Sequence, residues 1–177
     1  MKIPYIFVLI SIGFLLFSLF FKYSNFMDIR KIIIQHFSVF KGNYIQLIGI
    51  FVAPFVISIA LTFIKCIDKD IIGNLNIILS LLISMFLSVL SILCSFNRKV
   101  ENANYKQLLK ETYNTTIFEI IVCLLLLFVS FIVLFIGDFE ETIKLKITSG
   151  VIYYLTMIMI LNILVIIKRI KVLFDNQ

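Results

Sequence analysis

The stretch that decides the fold is Ile71–Phe96, IIGNLNIILSLLISMFLSVLSILCSF. It is long and apolar enough to cross ~30 Å of hydrocarbon as a single helix. Through it, Gly73, Asn76, Ser80, Ser84, Ser88, Ser91 and Ser95 recur at steps of three or four. On a helix these seven positions fall within an arc of roughly 120°. In lipid, a face of small and hydroxyl-bearing residues belongs against protein or water, not acyl chains. Two readings follow, a helix-packing face or the wetted wall of a pore. No charged ring accompanies the serines, so a selective ion filter is not indicated.

The rest of the chain agrees with a bilayer. Of its 177 residues 62% are hydrophobic and 15% charged, with mean hydropathy +1.12. An ordinary soluble domain is nearer half apolar and a quarter charged. The apolar residues come in runs of about 20, which favours helices over the short alternating strands of a barrel. The expected fold is all-α, a polytopic membrane domain over 1–177. Five spans are predicted, at 3–21, 44–64, 71–96, 117–137 and 147–167. Cys66, Cys94 and Cys123 form no CxxC pair and have no metal-ligand spacing, so free thiols and no metal are expected.

The first run, 3–21, is too long for a signal-peptide core and no small-residue cleavage site follows it, so it reads as a retained helix. The link 22–43 contains an amphipathic stretch, with Ile29, Ile32, Ile33, Phe37 and Phe40 on one face and Lys31, Gln35 and Ser38 opposite. Such a basic segment lies in the headgroup plane or docks a partner. The second run holds Gly49 and Ala53 as a small-xxx-small pair, then Pro54, which removes the donor to the Ile50 carbonyl. These three positions read as a packing groove or a hinge. A short turn, 65–70, predicts an antiparallel hairpin of the second and third spans. The link 97–116 is polar, with a short helix in which Tyr105, Leu108, Leu109 and Tyr113 share a side.

Lysine and arginine set the orientation. Lys22, Arg30, Lys31 and Lys41 lie in the first long link, Arg98, Lys99, Lys106 and Lys110 in the second, and Lys168, Arg169 and Lys171 in the tail. The opposite side carries Lys2, Lys65, Lys69, Lys144 and Lys146. The bias places both links and the tail in the cytoplasm and the N-terminus outside, in a cell inner membrane. The formal charge of +6 is then mostly a signature of topology, with some attraction to anionic lipid through Arg30, Lys31, Lys168, Arg169 and Lys171.

Catalysis has little to build from. Neither link can bury a core, and His36 is the one histidine, so no catalytic residue or cofactor is expected. Glu140-Glu141 faintly resembles the paired glutamates of intramembrane CAAX-type proteases, but that family's downstream Arg and later histidines are missing. There is no phosphate-binding glycine loop, and the basic clusters lack the aromatic interleaving of a nucleic-acid surface. Glu119 is the one acid inside a predicted span, by default a proton or cation site. Against that, Thr116-x-x-Glu119 has capping-box spacing, and a first-turn Glu can snorkel to the interface. Asn162, deeper in the fifth span, needs a partner on a neighbouring helix.

In size and layout the chain resembles the small multispan subunits of bacterial anti-phage, abortive-infection-type systems. The resemblance covers the whole chain loosely and implies a self-associating membrane sensor or effector, acting with a cytosolic protein that docks at 22–43 and 97–116. Two other classes stay open. A substrate-capture subunit of a transporter fits in size, but the first span lacks that family's small-xxx-small coupling motif. An immunity protein against a secreted toxin has the same gross features.

Overall fold

Five helices account for nearly all of the residues that the computed structural model describes, which are 10, 30–38, 44–96, 103–137, 139 and 142–175. They are α1 (Arg30–Ser38), α2 (Tyr44–Ile64), α3 (Lys69–Phe96), α4 (Ala103–Ile136) and α5 (Ile143–Asp175), with no strand among the described residues. Side chains supply the caps that start α3 and α5. Asp68 Oδ1 accepts the Ile71 N–H at 2.8 Å and Thr142 Oγ1 accepts the Leu145 N–H at 3.3 Å, each satisfying an amide that has no intrahelical partner. Asp68 also pairs with Lys65 at 2.8 Å. This contact holds the lysine above and the carboxyl below its ordinary range.

Three helices are long and apolar enough to cross a membrane, over Lys69–Ser95, Ala103–Phe135 and Ile143–Asp175. The predicted span 44–64 appears as α2, whose apolar run Ile48–Ile64 is shorter. The predicted span 3–21 lies outside the described residues apart from position 10, and so do Glu140 and Glu141. Five spans therefore reduce, on the described residues, to three long helices and one shorter apolar one.

A seven-residue repeat organises the bundle. On α3, Ile72, Leu79, Phe86 and Leu93 are buried, and on α5, Leu145, Ile152, Met159, Ile166 and Leu173. On α4 two such series run in parallel: Tyr105, Thr112, Glu119 and Leu126, and Leu109, Thr116, Cys123 and Ser130. This is the spacing of knobs-into-holes packing, and it makes α4 the central helix, inward on two adjoining stripes. The outer faces carry large apolar side chains instead, among them Leu81, Phe135 and Ile147. Water would penalise that surface heavily; lipid does not.

One boundary and one pairing differ from the sequence reading. The link 97–116 is, from Ala103 onward, the first half of α4. Its polarity does not stop a helix, because no Gly or Pro interrupts 103–136, and Thr112, Thr115 and Thr116 donate to the carbonyls of Leu108, Glu111 and Thr112 at 2.8–2.9 Å. The predicted hairpin of the second and third spans is not a packed pair. The main seams are α3 on α4, α4 on α5, and α5 on α2. The start of α5 seats under the turn: Ser149 Oγ accepts the Ile67 N–H at 3.0 Å, and Tyr153 donates its hydroxyl to the Lys65 carbonyl at 3.0 Å.

The end of α4 yields a first prediction. The Gly137 N–H closes the helix on the Val133 carbonyl at 2.7 Å, and a Cβ at Gly137 would collide with that same oxygen. Gly137→Ala is expected to cost on the order of 1 kcal/mol, read as a lower thermal midpoint in detergent. An unchanged midpoint would show that the closing turn has slack.

Candidate functional site

The polar residues of α4 meet those of α5 in one buried seam near the end of the bundle that carries α1. Glu119 and Asn162 are both 0% exposed, and Asn162 Nδ2 donates to Glu119 Oε1. Glu119 Oε2 and Asn162 Oδ1 have no hydrogen-bond partner among the described residues. One turn toward the middle, Cys123 Sγ touches Met159 Sδ at 3.3 Å. Two turns the other way, Arg169 Nη1 lies 3.7 Å from Glu111 Oε2, and Glu111 Oε1 accepts from Gln107 at 3.0 Å.

This placement removes the capping explanation of Glu119. Thr116 is well inside a continuous helix, where its hydroxyl bonds Thr112, and Glu119 does not snorkel to a surface. The carboxyl faces a neighbouring helix.

α1 covers the same end. His36 is buried and stacks face to face on Phe118 of α4, with centroids 4.0 Å apart and planes 7° from parallel. Phe37 stacks on Phe51 of α2 at 5.3 Å. α1 thus packs on protein through His36, where the amphipathic pattern alone pointed to the headgroup plane. Burial, and then the positive charge of Arg169, push the His36 imidazole down to about 4.

The serine stripe of α3 divides. Asn76 turns into the α3–α4 seam and meets Ser130, whose hydroxyl also reaches the Leu127 carbonyl at 2.9 Å. The Asn76 amide oxygen is the atom that faces this hydroxyl, which donates to it. Ser80, Ser84, Ser88, Ser91 and Ser95 are exposed, and a Cβ on Gly73 would meet nothing within 4 Å. Ser80, Ser88 and Ser95 satisfy their hydroxyls on the carbonyls of Asn76, Ser84 and Ile92 at 2.7–3.1 Å. The face is therefore small and internally bonded. No other described helix covers it.

The other predicted positions fall as follows. Gly49 and Ala53 are exposed, and α2 continues through a buried Pro54. Arg30, Lys168 and Lys171 are exposed, whereas Arg169 turns inward to Glu111; the Lys31 side chain lies outside the described residues. A cleft of about 330 Å³ opens between α3 and α4, lined by Leu93, Cys94, Lys106, Leu109, Lys110 and Tyr113. Among the described residues no three His, Cys, Asp or Glu side chains converge as a metal site. The chain matches no protein-family model, no curated protein and no solved structure.

Proposed function

We propose that this chain is a non-enzymatic, self-associating module of a bacterial inner membrane, with five spans, the N-terminus outside and the C-terminus in the cytoplasm. Its role is that of a sensor or effector subunit of a defence system, with a cytosolic partner docking at the α1 end. One observation carries the reading of self-association: the small face Ser80–Ser95 is open, while the opposite side of the same helix is filled by α4. Membrane helices have little hydrophobic drive to associate, so small residues that admit a close backbone are what a second copy would use. If copies surround a common axis, this face lines it, which is how such an effector would perturb a membrane.

The transporter reading stands second, favoured by the α3–α4 cleft, whose ~330 Å³ lies at the lower end of small-molecule sites.

The test is cross-linking in native membrane. In a chain without its own cysteines, Ser84→Cys and Ser88→Cys are expected to form disulfide dimers under mild oxidation, and Leu124→Cys, exposed on α4, is not. A chain that stays monomeric by native mass in mild detergent and gives no dimer at Ser84 or Ser88 would end the proposal. A reporter fused after Gln177 should score cytoplasmic, and an outside score would break the five-span topology.

A further inference from the structure

The α4–α5 seam contains an imbalance that one proton corrects. Glu119 and Asn162 share a single hydrogen bond, and each keeps one buried oxygen with no partner among the described residues. Both unpaired atoms are acceptors when the carboxyl is ionised, so neither can serve the other. When the carboxyl is protonated, Oε2 becomes a donor and Asn162 Oδ1 is the acceptor it lacks.

The charges around the seam point the same way. No ion pair joins Glu119 to a cation among the described residues. Arg169, two turns along α5 from Asn162, is paired with Glu111 on α4. His36 of α1 stacks on Phe118, beside Glu119 in sequence, and is held neutral by its burial and by Arg169. On α4 the other titratable neighbour is Cys123, occupied with Met159. The described charged residues of α3 are Lys69 and Asp70, at its far end. An ionised Glu119 would be an isolated buried carboxylate, which costs more than one amide hydrogen bond returns. A metal cation would need several more oxygen ligands than the two unpaired ones.

We propose that Glu119 is a proton-binding site within the membrane domain, holding its proton on Oε2 and donating it to Asn162 Oδ1, so that acid and amide close a two-bond ring across α4 and α5. The ligand is the proton. Losing it places an unpaired charge in the seam, so this pair is where the bundle senses proton availability. The inference does not depend on self-association, and a monomer would carry the site equally well.

The experiment is infrared spectroscopy of the full chain in lipid bilayers, with glutamate side chains carrying carbon-13 at the carboxyl. At neutral pH the wild type should show the carbonyl stretch of a protonated carboxylic acid, shifted by the isotope label and by deuterium exchange. That band should vanish in Glu119→Gln, persist in Glu111→Gln, and move to higher frequency in Asn162→Leu, where the carbonyl loses its donor. Replacing choline by sodium at constant ionic strength should leave it in place. No labelled acid band in folded wild type at neutral pH would overturn the proposal, as would a band that sodium removes. The wild-type measurement decides this even if the Gln variant fails to fold.

Discussion

Asn162→Leu is expected to destabilise the bundle by about 1–3 kcal/mol, and Glu119→Leu in the same chain to restore most of the loss. The first substitution removes the one donor to Glu119 Oε1 among the described residues and strands a carboxyl at a position that is 0% exposed. The second replaces the stranded group by an apolar one of comparable size, so nothing polar is left to satisfy. Interhelical hydrogen bonds in lipid couple by only ~0.6 kcal/mol on average, with ~1.7 as the upper end. The fully enclosed seam puts this pair toward the upper end. A double-mutant cycle on reversible unfolding in bicelles would measure it. Additive single effects would mean that the two side chains do not depend on each other, and the seam would be ordinary packing.

The same pair shows what the sequence could and could not reveal. Helical class and bilayer-crossing apolar runs were legible because ~20-residue runs have few other uses. The stripe was legible as a face, since its spacing is helical, but not its direction. A sequence carries no sign for which side of an apolar helix meets its neighbour. On α3 the answer lay in Ile72, Leu79, Phe86 and Leu93, a repeat of seven hidden among equally apolar residues. Glu119 was visible as an oddity, but its partner across 43 positions was not. The polarity of 97–116 hides it further, because Thr112, Thr115 and Thr116 have the composition of a loop and are the buried wall of a seam. His36 lies in the amphipathic stretch, and no local pattern marks the Phe118 ring it stacks upon.

A bundle whose outer surface is apolar has to place its polar residues with care, and two of the groups here contrast. Those on α4 and α5 face each other, are enclosed, and fix the register of an antiparallel pair, as Glu119 with Asn162 and Glu111 with Arg169 illustrate. Those on α3 from Ser80 onward face outward, and Ser80, Ser88 and Ser95 bond carbonyls of their own helix. The first set constrains the monomer. The second costs little if left in lipid, because small side chains with internally bonded hydroxyls present little unsatisfied polar surface.

Acidification should release α1. Away from the bundle His36 takes up a proton near its ordinary 6.5, and docked it does so only at about 4. Between these values the undocked state binds more protons, so docking weakens by about 1.4 kcal/mol for each pH unit lost. Above 6.5 both states are neutral and docking is at full strength; below 4 the loss stops growing, at about 3 kcal/mol in all. An imidazolium there would sit beside Arg169, already short of compensation with one carboxylate at 3.7 Å. Spin labels at Ile34 and Lys110, both exposed, should move apart between pH 7 and pH 4. His36→Phe keeps an aromatic ring on Phe118 and removes the titration, so its label distance should hold across the range. If wild type and His36→Phe respond alike, the acid sensitivity belongs to another group and the imidazole is only a spacer between α1 and α4.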